Sequence, residues 1–103
     1  MAHGFQIDDL DEVIHGRVRL AIMAYLASAG AADFNELKAE LQLTQGNLSM
    51  HLRKLEDAGY VTAERRFLNR KSNTRVRFTP RGRAAFAAYL ETLADLVART
   101  PKP

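Results

Sequence analysis

The chain has 103 residues, of which 47% are hydrophobic and 26% charged, and this size and composition predict one soluble globular domain rather than a disordered or two-domain protein. It contains no cysteine, which excludes disulfides, thiolate metal ligands and a thiol nucleophile, and its apolar runs fall short of the roughly 18 residues that a membrane-spanning helix needs. The net charge is +3, and because the N-terminus has no signal-peptide core we expect a cytoplasmic protein.

A period of three to four residues predicts a first helix over residues 10–28. The acidic cluster at residues 8–12 suits its N-terminus, where carboxylates meet the positive end of the helix dipole. Gly16 either kinks this helix or splits it into two pieces, and Gly30 ends it. One amphipathic helix, whole or split, therefore opens the domain.

Two further helices follow, joined by a brief turn around residues 42 and 43. Asp33 and Glu36 form a capping box at the start of a short helix. Thr44 is the N-cap of the next helix, which has a stripe of leucines at positions i, i+4 and i+7 and ends at Gly59. Two short helices joined by such a turn, the second with a polar outer face, form a helix-turn-helix.

The period then changes to that of β-strands. Residues 60–68 are rich in β-branched and aromatic side chains, residues 74–78 alternate, and the segment between them, residues 69–73, is polar and turn-prone. These features predict a β-hairpin with a basic tip. Thr79 and Pro80 then begin a last helix, over residues 80–98, which carries two adjacent apolar stripes.

The net charge conceals an uneven distribution. Residues 1–43 carry three basic and seven acidic residues, a net −4, whereas residues 61–83 carry eight basic residues and one acidic residue, a net +7. Seven of those eight cations are arginines, whose planar guanidinium groups donate paired hydrogen bonds to phosphate. A solvated charged face usually mixes the two signs, so this segment favours polyanion binding. The alternative role for Arg65 and Arg66 is to stabilise the hairpin, with Glu64 as a partner.

The order of elements predicts a mainly α-helical α+β domain, a winged helix-turn-helix with three helices, a β-hairpin wing and a C-terminal helix. We expect it to span residues 8–98, with tails at residues 1–7 and 99–103. Such a domain places its third helix in the major groove of double-stranded DNA and its basic wing on the backbone or in the minor groove. The residues expected to contact DNA are Thr44, Gln45, Asn47, Ser49, Met50 and Arg53 on the third helix and Arg66, Arg70, Lys71, Arg75 and Arg77 on the wing.

Side-chain chemistry assigns roles within the third helix. When its leucine stripe faces the core, the first turn is best placed to enter a groove. Gln45 and Asn47 can read base edges, because an amide matches the donor and acceptor of adenine. Thr44 and Ser49 suit phosphate contacts, and Arg53 suits either role. The alternative is an ordinary solvated helix surface, but asparagine and serine are poor helix formers to place there without another reason.

The segment from Leu43 to Val61, LTQGNLSMHLRKLEDAGYV, resembles the recognition helix of winged-helix regulators of the MarR and ArsR families. The motif Thr-Pro-Arg-Gly-Arg at residues 79–83 is similar to the entry into the helix after their wing, and residues 17–26 are similar to their first scaffold helix. The likeness covers most of the chain. It implies a transcriptional regulator that binds double-stranded DNA. The sequence does not indicate whether a small-molecule effector binds.

The apolar arc of the last helix is wider than packing on one side requires. We expect it to pair two copies of the chain in a homodimer, so that two recognition helices meet a pseudo-palindromic site. The expected interface residues are Phe86, Tyr89, Leu90, Leu93, Leu96 and Val97. The alternative is that the first helix covers both stripes within one monomer.

Other functions find less support in the sequence. The three histidines lack metal-ligand spacing, and no phosphate-binding loop or Ser-His-acid grouping stands out, so we expect neither an enzyme nor a cofactor. A metal site would have to use the acidic cluster with His15, and the helix dipole explains that cluster more simply. A winged helix that binds protein or RNA is the remaining alternative. Such a domain would more often expose apolar residues on the outer face of its third helix, and in this sequence Met50 is the only apolar residue expected on that face.

Overall fold

A computed structural model of the chain, which describes residues 9–99, contains four helices and a three-stranded antiparallel sheet. In chain order the elements are α1 (Arg17–Ala29), β1 (Ala31–Asp33), α2 (Phe34–Glu40), α3 (Gln45–Asp57), β2 (Val61–Leu68), β3 (Lys71–Phe78) and α4 (Pro80–Ala98). The mainly helical winged helix-turn-helix predicted from the sequence is therefore confirmed. The predicted tail at residues 1–7, and residues 100–103 of the other tail, lie outside the described part of the chain.

The first helix begins later than predicted. Its predicted span includes the acidic cluster, whereas α1 begins at Arg17 and the segment before Gly16 is a turn. The carboxylate of Asp11 accepts hydrogen bonds from the backbone N–H groups of Val13 (2.8 Å) and Ile14 (3.3 Å), so it caps that turn instead of α1. Gly16 thus splits the predicted helix, and the fully buried Ile14 anchors the first piece on the core.

The three predicted helix starts at Asp33, Thr44 and Thr79 are present. A capping box begins α2 at Asp33. The N–H of Asn47 donates to Thr44 Oγ1 over 3.1 Å, and the N–H of Gly82 donates to Thr79 Oγ1 over 2.8 Å. Each cap satisfies a backbone N–H group that has no partner within its own helix.

The wing is longer, and its turn shorter, than predicted. The predicted turn covers residues 69–73, whereas Leu68 pairs with Lys71 and only Asn69 and Arg70 form the turn. Both turn residues have positive φ, 51° and 65°, which the tightest hairpin turns require because their backbone then follows the twist of the strands. Asparagine tolerates this conformation, while for Arg70 it costs roughly 1–2 kcal/mol.

A short strand, β1, was missed by the sequence analysis. Ala31 pairs with Arg77 and Ala32 with Val76, so that β3 lies between β1 and β2. In the sequence this segment lies between Gly30, the predicted end of the first helix, and the capping box of the next, and three residues are too few to show a strand period. Gly30, with φ 82°, ends α1, and its carbonyl oxygen accepts a hydrogen bond of 3.0 Å from the N–H of Phe78.

The core lies where α1, α3 and the start of α4 meet the sheet. The leucine stripe predicted on α3 is buried there. The large buried side chains are Ile14, Ile22, Met23, Leu26, Leu37, Leu48, Leu52, Leu55, Val61, Val76, Phe86 and Tyr89. Val61 on β2 and Val76 on β3 are the buried residues at the root of the hairpin. The part of the wing between them extends beyond the core and is held mainly by the pairing of its two strands.

The beginning of α4 lies against the root of the wing. Gly82 is buried, and a Cβ atom on it would lie 2.1 Å from the backbone oxygen of Tyr60. Thr79 joins the same place through two hydrogen bonds: its N–H donates to the Tyr60 carbonyl over 3.1 Å, and its hydroxyl donates to the Gly59 carbonyl over 2.7 Å. The Thr-Pro-Arg-Gly motif therefore joins the end of α3 and the start of β2 to α4.

Candidate nucleic-acid interface

Helix α3 buries its leucines and presents most of its other side chains to solvent. Of the six contact residues predicted on it and at its N-cap, Asn47 is half-buried and the other five are exposed. Gln45 and Ser49 lie one turn apart and therefore on the same side of the helix. Met50 is 50% exposed beside them. The outward surface of the first two turns is thus made of amide and hydroxyl groups with one thioether.

A cleft of about 300 Å³ separates α3 from the wing. Gln45 and Ser49 line it from the helix, and Arg65, Ser72 and Thr74 line it from the two strands of the wing. Phe34, Asn35 and Asn73 complete the lining. The cleft therefore combines a guanidinium group with neutral donors and acceptors, which suits contacts to phosphate oxygens and base edges.

The two faces of the wing carry different residues. Side chains alternate along a strand, and residues paired across an antiparallel ladder lie on the same face. Arg65 pairs with Thr74 and so shares the inner face with the buried Val76. Arg66 and Arg77 lie on the outer face, on the other side of the hairpin. The predicted wing residues are therefore divided between an outer face and the tip.

Arg75, on the same outer face, is held within the protein. Its Nη1 atom lies 3.1 Å from Asp33 Oδ1, which ties β3 to β1. This hydrogen bond from Arg75 lowers the pKa of the Asp33 carboxyl below its ordinary value of 3.8, and Asn73 and Arg66 act in the same direction. The Nε atom of Arg66 is buried without a hydrogen-bond partner among the described residues. The positive charge of Arg75 is thus largely compensated by the carboxylate of Asp33 within the same chain.

The tip of the wing is cationic and open to solvent. Arg70 and Lys71 are exposed at the turn, and Arg77 is exposed nearer the root. Charges at a surface act over about 8 Å at physiological ionic strength. Together with Arg65 in the cleft, these side chains give the wing a positive potential along much of its length.

His51 faces the scaffold rather than the cleft. Its Nδ1 atom accepts a hydrogen bond from Arg19 Nη1 over 2.9 Å, and Arg19 Nε donates to the carbonyl oxygen of Val13. Burial lowers the pKa of His51 below 6.5, and the charges of Arg19 and Lys54 lower it further. The neutral imidazole thus joins α3 to α1 and to the turn before it.

Helix α4 buries one side of its first half, through Gly82, Phe86 and Tyr89, and has no buried side chain in its second half among the described residues. Phe86 and Tyr89 belong to the core of the chain itself, and the Tyr89 hydroxyl lies 2.8 Å from His15 Nδ1. Leu90 and Val97 are 45% and 64% exposed. The other two residues predicted for a dimer interface, Leu93 and Leu96, are half-buried. An apolar surface therefore remains on the outer half of α4 of this monomer.

The acids near the N-terminus serve the fold. The hydroxyl of Tyr60 donates to Asp11, and burial followed by this hydrogen bond raises the pKa of Tyr60 to about 12. The hydroxyl of Tyr25 donates to Glu36, and this hydrogen bond raises the pKa of Tyr25 to about 12 as well.

Within residues 9–99 no three His, Asp or Glu side chains come close enough to hold a metal ion. None of the helices in this part of the chain has the length and the apolar character that a membrane span requires.

Comparison with known proteins places this geometry in a family. A family model described as "Winged helix DNA-binding domain" matches residues 18–97. The chain belongs to this family. It is also 35% identical, over 85 residues, to an uncharacterized protein of Methanocaldococcus jannaschii, MJ0432, across 82% of this chain and 92% of that protein.

Solved structures of winged helix proteins agree with this assignment. A transcriptional regulator homologue from Pyrococcus horikoshii is similar with a TM-score of 0.81 and 31% identity, over 85% of this chain and 87% of that one. A protein described as a transcriptional regulator of the MarR family, from Enterococcus faecalis, is similar with a TM-score of 0.65 and 29% identity, over 85% and 84% of the two chains. The predicted resemblance to MarR-type regulators is confirmed, and the family and fold point to a DNA-binding regulator rather than an enzyme.

Of the residues that line the cleft, only Gln45 and Ser49 are among the DNA contacts predicted from the sequence, and Arg65 is the charged residue that this prediction missed. Its placement follows from strand parity, because Val61 and Ala63 precede it on the inner face. In the sequence alone the first strand of the hairpin alternates poorly, so the parity is visible only after the register with β3 is known.

Proposed function

We propose that this winged helix domain is a sequence-specific transcriptional regulator that binds double-stranded DNA, with α3 in the major groove and the wing on the backbone or in the minor groove. The cleft between α3 and the wing carries the proposal. It sets the neutral amide and hydroxyl groups of Gln45 and Ser49 opposite the guanidinium group of Arg65. Neutral polar groups suit the base edges within a DNA groove, and a guanidinium group suits the phosphates at the rim of that groove.

Each of the predicted contact residues takes a role in this arrangement. Gln45 and Asn47 read base edges, while Thr44 and Ser49 bind phosphates at the start of α3. Met50 and Arg53 continue this surface along the exposed side of the helix. On the wing, the contacts are Arg65, Arg66, Arg70, Lys71 and Arg77, and Arg75 contributes least because its guanidinium group already pairs with Asp33.

A salt titration of duplex binding tests this proposal. The observed association constant falls with salt with a log–log slope of about −0.9 for each phosphate neutralised. The double variant Arg70→Ala/Lys71→Ala is expected to reduce the magnitude of that slope by about two. Arg17→Ala/Lys54→Ala removes the same charge away from the cleft and is expected to leave the slope close to that of the wild type.

Two results would contradict the proposal. Absence of binding to any duplex at about 50 mM salt would remove DNA as the partner. An unchanged slope in the wing variant would remove the wing from the DNA interface. In the first case, the winged helix that binds protein or RNA becomes the better hypothesis, and in the second case α3 remains as the DNA contact without the wing.

We also propose that the domain acts as a homodimer through the outer half of α4. Leu90 and Val97, 45% and 64% exposed, are seven residues apart and so lie on one face of the helix. A two-fold axis at this face would bury the same stripe on both copies. It would also present two α3 helices to a pseudo-palindromic site, with half-sites about 34 Å apart.

Sedimentation of the free protein tests the dimer. We expect a dimer at micromolar concentration, and a monomer after Leu90→Ser/Val97→Ser. Ala84→Ser changes another exposed position of α4, off this stripe, and is expected to stay dimeric. A wild-type protein that sediments as a monomer without DNA would overturn the dimer while leaving DNA binding to be judged by the salt titration.

A further inference from the structure

Phe67 stands near the end of the wing as an aromatic side chain in solvent. It is 72% exposed, against 64% for Val97, 50% for Met50 and 45% for Leu90, the other large hydrophobic side chains that the structure describes as exposed. Its partner across the hairpin is Ser72, which offers no apolar surface to pack against. Isolated hydrophobic residues are common on protein surfaces, so the inference depends on where this ring lies.

Strand parity places Phe67 on the inner face of the wing. It follows Val61, Ala63 and Arg65 on the same side of β2, and Arg65 lines the cleft opposite α3. The ring therefore lies on the side of the hairpin that faces the proposed DNA, two pairs beyond the cleft residues Arg65 and Thr74. An aromatic residue on the outer face would have no such relation to α3.

The charge around Phe67 favours a nucleic acid over an apolar protein surface as its partner. Arg65 lies two residues before it on the same face, and the exposed Arg70 and Lys71 lie just beyond it at the turn. An apolar protein partner would have to strip water from these cations without offering counter-charge, which is costly. A nucleic acid duplex offers phosphates for the cations and, between the phosphates, the apolar walls and stacked bases of the minor groove.

Building on the proposed function, we propose that Phe67 is a minor-groove contact that helps to determine sequence preference. Arg70 and Lys71 hold the phosphates at the rim, and the ring enters the groove and wedges against a base step. Apolar side chains inserted in this way partly unstack the step and bend the duplex. Pyrimidine–purine steps unstack most easily, so the wing favours such a step without a hydrogen bond to a base.

Because the chain contains no tryptophan, the accessibility of an introduced tryptophan to a quencher tests the contact directly. Phe67→Trp introduces the only tryptophan of that variant at the proposed contact, and Ala88→Trp introduces one at an exposed position of α4 that does not line the cleft. On addition of a saturating random-sequence duplex, we expect acrylamide quenching to fall for the tryptophan at position 67 and to stay unchanged at position 88. If position 67 remains as accessible in the complex as in the free protein, the inference is wrong.

Affinity measurements provide the second test. Phe67→Ala is expected to weaken duplex binding about tenfold, from lost apolar burial, with the salt slope unchanged. Phe67→Leu keeps an apolar wedge and is expected to lose much less. Because the ring is exposed, thermal unfolding of these variants should match that of the wild type, which separates lost contact from lost fold.

The outcomes distinguish this inference from the function on which it rests. If the wild-type protein binds no duplex, the proposed function fails. If the wild type binds and Phe67→Ala binds equally well, or weakens only through a smaller salt slope, the minor-groove contact is overturned and the proposed function stands.

Discussion

Helix α3 and the wing are the two elements that the proposed function places on DNA, and they are built in opposite ways. The helix is anchored along its length by three buried leucines and by the hydrogen bond between His51 and Arg19, and it presents neutral polar groups. The wing is anchored at its root, where Val61 and Val76 are buried, and it carries arginines beyond that point. The more rigid element holds the groups whose geometry matters most.

This difference follows from the range of the two kinds of contact. A hydrogen bond to a base edge weakens steeply with small errors of distance and angle, so base-reading side chains need a fixed support. The attraction between a guanidinium group and a phosphate acts over several ångströms and tolerates motion of the hairpin. We therefore expect the polar side chains of α3 to set base preference through hydrogen bonds, and the cationic side chains of the wing to set affinity and its salt dependence.

The substitution with the largest expected effect lies at the root of the wing, where α4 contacts the segment that leads from α3 into β2. Gly82→Ala would place a Cβ atom 2.1 Å from the Tyr60 oxygen, so the backbone of α4 or β2 must move. We expect a loss of unfolding free energy of about 3 kcal/mol or more, measured by denaturant or thermal unfolding followed by circular dichroism. Gly46→Ala is the matched control, because nothing lies within 4 Å of its added Cβ atom. A Gly82→Ala protein with wild-type stability would contradict the close contact.

A second prediction separates the two elements by their effect on DNA. Gln45→Ala is expected to reduce the discrimination between the preferred and the altered base pair by about 1–3 kcal/mol, with the salt slope unchanged. Arg70→Ala/Lys71→Ala is expected to do the reverse, lowering the slope while keeping the ranking of sequences. Competition binding with duplexes altered one base pair at a time measures both quantities. Equal loss of ranking in the two variants would remove the division of roles.

The parts of the fold that the sequence predicts are those with a local chemical cause. Thr44 and Thr79 cap their helices because a hydroxyl next to the first turn can accept a backbone N–H. The leucine stripe of α3 predicts its own burial through a helical period. The position of the recognition helix and the wing along the chain could therefore be worked out before any coordinates.

The parts that the sequence analysis missed depend on pairing between distant segments. The ion pair of Arg75 with Asp33 exists only because β1 joins β3, and β1 is too short to show a period. The placement of Arg65 and Phe67 on the inner face needs the register of β2 on β3. A one-residue slip would exchange the two faces, so charge content predicted a basic wing but not which of its arginines faces α3.

The last and smallest expected effect concerns the anchoring of α3 at acid pH. Burial, with the charges of Arg19 and Lys54, lowers the pKa of His51 in the folded chain below the value of 6.5 expected when it is unfolded. The unfolded chain then binds the proton more tightly, so this contribution to stability is present above pH 6.5 and is lost as the pH falls through 6.5 toward the lowered pKa.

His51→Gln removes that titration, and its stability is expected to change less than that of the wild type between about pH 7 and pH 5, the range in which histidine titrates. Thermal unfolding of the two proteins across this range measures the difference. Parallel pH profiles would show that the imidazole does not hold α3 to α1. A steeper fall in the wild type, with its salt slope for DNA unchanged, would show that α3 is loosened from the scaffold while the arginines of the wing keep their charge.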